Sequence, residues 1–341
     1  MQRNFILTDV MKTGFHVELE NFIGMHSLPD QSFETTGEYY TLHNYDLDSY
    51  ARRFAIIDTR LSNARVENNP EFMPELKKRC KLLHSQGFIF IKANPWESLE
   101  NINNTQQYPK IDIKHIKWTG GVSWFWYYMY NKHKDSKFNF GHSNKKYDFL
   151  YLNKQSRRHR VKLYNALLDK GVLENSLHTN WPTRKLPAEY ELPWAQNYPL
   201  YGRDQDIFSK PYNDTACSII SETNDNDTDV FMTEKIWKPI IAQHVFVVHG
   251  NHLYLQKLRE MGFKTFGSYF DESYDLEKDS DKKVEKIYKL CKDLLSKNWQ
   301  DIYLRSKALR QHNYDMFFNK EKLSAEVNKI INLFLEFADG S

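Results

Sequence analysis

Short runs rich in β-branched and aromatic residues alternate with amphipathic stretches of helical length along most of this chain, and that alternation admits few folds. FILTD at Phe5, FAIIDT at Phe54, FIFIK at Phe88 and HIKW at His115 read as buried strands. Between the second and third, Leu76, Cys80 and Leu83 share one face of a helix over Pro74–Ser85, and Gly87 stops it. The stretch YNKHKDSKFNFGHSNKK, from Tyr130, is polar and turn-rich and places a domain boundary before the next strand, YDFLYLN at Tyr147. From there the spacing predicts a helix over Arg158–Lys170 closed by Gly171, a strand TACSIISET at Thr215, a helix from Thr233 to about Gln243, and a strand HVFVVHG at His244. A helix over Asn251–Met261 and a short strand FKTFG at Phe263 follow. Three helices, from about Lys283, Asp301 and Lys322, cover the sheet at the end of the chain, one of them placed to cross back to the first domain. The expectation is α/β, with a mostly parallel sheet covered on both faces in each of two domains, residues 1–145 and 146–341. Such sheets bind ligands beyond the carboxyl ends of their strands.

Composition narrows the function classes. The 341 residues carry 47 basic and 44 acidic side chains, a net charge of +3, so no bulk field advertises nucleic acid or an anionic membrane. No apolar run approaches the roughly 18 residues a spanning helix needs, and MQRNFILTDVMKTG lacks the apolar segment and cleavage site of a secretory signal. Cys80, Cys217 and Cys291 are odd in number and far apart, against both a disulfide framework and a zinc site. A cytoplasmic protein without a membrane span is expected.

The densest chemistry lies in SETNDNDTDVFMTEKIW, Ser221–Trp237. Asp225, Asp227 and Asp229 have the spacing of a calcium loop, but Val230 stands where the turn needs glycine and Ile236 where a bidentate glutamate is needed. These aspartates read as a solvated turn. Thr233, Glu234 and Lys235 open a helix whose apolar positions are Ile236, Trp237, Ile240 and Ile241. Thr233 suits a cap. The helix start and Lys235 together suit a phosphate, and Glu234 suits the paired hydroxyls of a ribose. Taken alone, this reading is weaker than a plain capped helix.

A second cationic helix start strengthens it. LYLNKQSRRHRVKLYNAL sets Lys154, Arg157, Arg158, His159 and Arg160 between a strand end and the first turn of a helix, where cations oppose the helix dipole. Helix stability does not explain them; a solvated basic turn or a bound anion does. Two such starts on one sheet edge point to a diphosphate.

These residues resemble the alpha-1,3-fucosyltransferases, in which a strand, an Arg-bearing turn and a helix precede a segment FEN…Y(V/I)TEK. Here IISET…VFMTEKIW stands in that place, and HVFVVHGNHLYLQKL and KTFGSYFDESYD are similar to the family's following segments, so the likeness covers roughly Tyr147–Asp275. The resemblance implies a GT-B fold, two Rossmann-like domains facing across a cleft, with an activated sugar held mainly by the second. It implies that Arg157, Arg160 and Lys235 neutralise the diphosphate, Glu234 holds ribose, Phe231 packs near base or sugar, and Glu222, Asn224 and Thr233 complete the donor site. Thr223 replaces the asparagine that follows FE in the family, so the donor need not be GDP-fucose. In the first domain the family's base would align near Ala93 or Asn94, which leaves Glu97 and Asp58 as candidate catalytic carboxylates.

The expected activity is therefore inverting transfer of a sugar from a nucleoside-diphosphate sugar to a glycan hydroxyl, with no cofactor and no bound metal. Three rivals stand beside it. Asp225–Asp229 could serve as a metal-holding acidic pair. The aromatic run SWFWYYMYNKHK could serve a nucleic-acid-modifying enzyme, although a buried core element suits that run better. The same cations could belong to a binding module without catalysis.

Overall fold

The structure is a computed structural model and describes residues 3–9, 31–36, 52–58, 72–94, 113–117, 121–138, 140, 145–154, 156–180, 186–190, 206–223, 225, 230–297 and 299–339. The chain divides into two compact units, Met1–Gly120 with Ser324–Ser341, and Gly121–Leu323.

The first unit holds β1 (Arg3–Asp9), β2 (Gln31–Thr36), β3 (Arg52–Asp58), helix α1 (Phe72–Ser85), β4 (Ile89–Asn94) and β5 (Ile113–Lys117). Its strands form one sheet in the order β2-β1-β3-β4-β5, every pairing parallel. The expected strands are present, and β2 is an addition. QSFETT carries one large apolar side chain, which suits an edge strand and leaves little periodic signal. Cys80 and Leu83 on α1 are buried, as their spacing requires.

The second unit begins with α2 (Gly121–His133), ahead of the polar stretch at which the sequence places the boundary. Packing explains the difference. Trp126 is 0 % exposed, stacks on Trp237 at 5.7 Å between ring centroids, meets Phe263 edge-on at 5.1 Å, and donates its Nε1–H to the Phe317 carbonyl at 2.8 Å. Tyr127 and Met129 are buried as well, so Trp126 and Tyr127 are core rings that cannot stack on nucleic-acid bases, while Tyr128 is exposed.

The unit continues with β6 (Tyr147–Asn153), α3 (Arg158–Asp169), β7 (Ser176–Asn180), α4 (Ser209–Asp214), β8 (Thr215–Ser221), α5 (Glu234–Ile241), β9 (Val245–His249) and α6 (Tyr254–Glu260). Helices α7 (Ser280–Leu295), α8 (Trp299–Arg305), α9 (Lys307–Phe317) and α10 (Lys320–Asp339) follow, four where three are expected. The α10 residues from Ser324 onward belong to the first unit. FKTFG is not a strand. Asn313 on α9 holds the backbone of Lys264 from both sides, accepting from its N–H at 2.7 Å and donating to its carbonyl at 2.8 Å, so that backbone has no ladder partner.

The strand order is β7-β6-β8-β9, again wholly parallel, with Ser221 opposite His249 at the carboxyl end. Every residue of β8 and β9 is buried, as a sheet covered on both faces demands. From β6 the chain passes first to β7 on one side and then to β8 on the other, so the order reverses between β6 and β8. The carboxyl ends of those strands flank the crevice in which doubly wound sheets bind ligands. No described helix is long and apolar enough to cross a membrane.

At the opposite end of β8, His244 is 1 % exposed. Its Nε2–H donates to the Thr215 carbonyl at 2.7 Å and its Nδ1 faces the Ser218 hydroxyl at 2.8 Å. Burial holds its pKa down, to about 3, against 6.5 for an ordinary imidazole. The unfolded chain therefore takes up a proton below pH 6.5 that the folded chain refuses until about 3. Stability is full above that window and falls as pH drops through it, by about 2 kcal/mol at pH 5. Urea midpoints measured between pH 7.5 and 5 check this; replacing His244 with Gln should flatten the dependence.

Candidate functional site

The site grows from the residue that follows β8. Glu222 is 0 % exposed and its N–H donates to the His249 carbonyl at 2.9 Å, extending the β8–β9 ladder by one step. Its carboxylate is fully occupied. Oε1 accepts from the Thr233 N–H at 3.1 Å and the Tyr254 hydroxyl at 2.7 Å, and Oε2 from the Thr233 hydroxyl at 2.7 Å and the Thr223 N–H at 3.2 Å. Glu222 thus ties the β8 end to the starts of α5 and α6. The resemblance assigns it to the donor site; the structure gives it a strut's work, with no carboxylate oxygen left for a ligand.

The Glu222 carbonyl collects the start of α3. Arg160 donates to it through Nε at 3.0 Å and Nη2 at 2.9 Å, and His159 through Nε2 at 2.9 Å. Arg157, the N-cap residue, donates Nη1–H to the Thr223 carbonyl at 2.6 Å. No side chain caps α3 and its first turn has no acidic residue, so the positive end of the helix adds to the charge of the two arginines. Arg160 is 5 % exposed and, among the described residues, forms no ion pair with a carboxylate. Burial and then Arg157 press its pKa below the usual arginine value, and burial does the same to Arg157. A guanidinium this deep, whose side-chain hydrogen bonds among the described residues go to a carbonyl, is a costly arrangement in isolation and a favourable one beside an anion.

The start of α5 meets the same two residues. Thr233 caps the helix, its Oγ1 accepting from the Lys235 N–H at 3.4 Å. Lys235 Nζ donates to Glu234 Oε1 at 2.7 Å, Thr233 Oγ1 at 2.9 Å and Thr223 Oγ1 at 3.3 Å. Burial pushes the Glu234 carboxyl up, but Lys235 and Lys238 outweigh it and hold the group below the ordinary carboxylate range. Glu234 and Lys235, expected to hold ribose and phosphate separately, pair with each other in this state. Arg157 and Lys235 therefore converge on Thr223 while Arg160 grips the adjoining carbonyl, and the two helix starts share one rim.

Phe231 lies elsewhere than expected. It is 2 % exposed, edge-on to Phe125 at 5.6 Å, and its N–H donates to Asn251 Oδ1 at 3.1 Å, so the ring is core and not a platform for a base. Asp58 closes β3, beside β1, where the strand order of the first sheet reverses. The Asp58 side chain, Glu97 and Asn224 lie outside the described residues, as do Asp227 and Asp229. Asp225 is described: the Ser280 hydroxyl donates to it, and His159 Nδ1 stands 3.4 Å away. Among the described residues no group of three His, Cys, Asp or Glu side chains is arranged to hold a metal ion.

Sequence reasoning misses His249 and Lys283. His249 ends β9 and Lys283 lies in the first turn of α7; neither has ligand spacing, and among the described residues His249 has no hydrogen-bond partner and Lys283 no carboxylate. The cysteines are unpaired and buried.

Fold and geometry together define an α/β protein with a wholly parallel sheet whose reversal point carries a partly buried cationic rim. No protein family, no curated protein and no solved structure matches this chain.

Proposed function

We propose that the chain is a glycosyltransferase that moves a sugar from a nucleoside-diphosphate sugar to a hydroxyl of a glycan acceptor. The observation that carries this reading is Arg160, a buried guanidinium without a carboxylate partner among the described residues, set with Arg157 and Lys235 around Glu222–Thr223 where two helices begin. Its position at the strand-order reversal is where a doubly wound sheet takes a nucleotide. The resemblance to alpha-1,3-fucosyltransferases at Thr233–Lys235 adds the sugar, with a GDP-sugar as the first donor to try. In this reading the two parallel-sheet units are the Rossmann-like domains of a GT-B enzyme, and its free cysteines suit a reducing compartment.

The chemistry is a single displacement. A carboxylate of the first unit, Asp58 or Glu97, takes the acceptor hydroxyl proton as the oxygen attacks the anomeric carbon. The bond from that carbon to the diphosphate oxygen breaks, its electron pair leaves with the diphosphate, and the configuration inverts. Arg157, Arg160, Lys235 and the uncapped α3 start meet the charge that develops, each worth about 3 kcal/mol by analogy with single donors of an oxyanion hole. That supply of fixed positive charge makes a divalent ion unnecessary in this scheme.

A thermal-shift panel of GDP, UDP, CDP, ADP and dTDP, each with and without EDTA, tests it. One nucleotide is expected to stabilise the protein by about 2.7 kcal/mol at a hundredfold excess over its Kd, equally with and without chelator. No shift with any of the five rejects the reading, and a shift that EDTA removes transfers it to a metal held by the Asp225–Asp229 segment.

A further inference from the structure

The rim continues into a second, more deeply buried socket that the reading above does not use. His249 is 0 % exposed and, among the described residues, neither ring nitrogen has a hydrogen-bond partner. Lys283 is 2 % exposed; its Nζ donates to the Gly250 carbonyl at 2.9 Å and, among the described residues, reaches no carboxylate within ion-pair distance. His159 commits Nε2–H to the Glu222 carbonyl, which can only accept, so its Nδ1 is the atom that faces Asp225. Burial disfavours charge on His159, His249 and Lys283 alike, and Arg160 beside the two histidines adds to the effect.

The Asp225 carboxylate lies among Ser280, His159 and His249, and it is poorly held. Ser280 donates to Oδ2, but His159 Nδ1 is 3.4 Å from Oδ1 and His249 Nε2 is 3.9 Å from Oδ2, the latter too far for a hydrogen bond. The carboxylate leaves an N–H of His249 and the Lys283 ammonium unmet, and His159 Nδ1 can donate only when an anion of higher charge brings a proton onto that ring. A phosphoryl group offers three terminal oxygens spread tetrahedrally and more negative charge, which suits a socket ringed by two imidazoles, a hydroxyl and an ammonium.

We infer that His159, His249, Ser280 and Lys283 form a phosphate subsite, and that Asp225 occupies it as a stand-in until a phosphorylated ligand displaces the carboxylate. This rests on the anion-binding reading of the adjoining rim and extends it: one phosphate lies at Arg157, Arg160 and Lys235, and the next in the socket. A self-occupied site lowers apparent affinity by the fraction of time it is blocked. Removing the occupant therefore tightens binding, the reverse of what a residue that holds the ligand or merely braces the loop would do.

The test is calorimetric titration of the full chain with inorganic phosphate, inorganic pyrophosphate and GDP at one ionic strength. Asp225→Ala is expected to bind pyrophosphate about tenfold more tightly than wild type, with Asp225→Asn between them. Adding His249→Phe to Asp225→Ala should return the affinity to the wild-type value, because the ring volume stays and both nitrogens go. Unchanged or weaker binding in the Asp225 variants overturns the proposal, and so does a gain that survives His249→Phe, since that gain would be long-range charge alone. If Asp225→Ala does not fold, Asp225→Asn decides by the same criterion. A gain with pyrophosphate while neither wild type nor variant binds GDP keeps the subsite and removes the GDP-sugar reading. Measurable binding of both pyrophosphate and GDP that is equal in wild type and variant removes the subsite and keeps the nucleotide reading.

Discussion

Replacing Glu222 with Ala is expected to lower stability by about 3–5 kcal/mol, more than any change of a cation at the rim. The carboxylate is inaccessible and accepts four hydrogen bonds, from Thr223, Tyr254 and both the backbone and hydroxyl of Thr233. Truncation leaves all four donors without an acceptor, and it also removes a negative charge that favours the Arg160 guanidinium. Glu222→Gln keeps the volume but turns an amide NH2 toward groups that themselves donate, so it should lie close to the Ala variant. Urea unfolding measures both. A loss under about 1 kcal/mol would mean that the carboxylate is free for a ligand, as the family resemblance implies.

Lys235→Ala should act in the other way, lowering turnover about tenfold or more while leaving the fold intact. The Lys235 side chain is one-quarter exposed and its Nζ contacts Glu234 and two threonine hydroxyls. Thr233 still caps α5 without it, and an ion pair this exposed contributes under about 1 kcal/mol to stability. To serve a diphosphate the ammonium must exchange Glu234 for phosphate oxygens, which frees Glu234 for the ribose hydroxyls in the same step. Steady-state rates with the donor selected by the thermal-shift panel, beside a melting curve, separate the two effects. Unaltered turnover in the variant would remove Lys235 from the mechanism.

The parts of the fold legible in the sequence are those whose physics is local. YDFLYLN, TACSIIS and VFVVH are nearly continuous apolar runs because strands covered on both faces can tolerate little else, and they match β6, β8 and β9. Thr233 announces a helix start because a hydroxyl cap and an apolar stripe lie within one turn of each other. The edge strands QSFETT and SLHTN escape notice, since an edge needs few apolar side chains. FKTFG reads as a strand by composition, yet Asn313, far along the chain, decides its backbone. The site divides in the same way. Arg157, Arg160 and Lys235 are visible as cations at helix starts, but the work of Glu222 depends on donors at 223, 233 and 254. His249 is recognisable only by what does not touch it.

The division of the chain has a consequence for its synthesis. Residues 121–323 are one uninterrupted stretch, whereas the first unit is assembled from two pieces separated by that whole length. On a ribosome the inserted unit can reach its native packing while its host still waits for Ser324 onward, reversing the usual N-terminal-first order of maturation. Truncations near the carboxyl terminus should therefore injure the unit that was translated first.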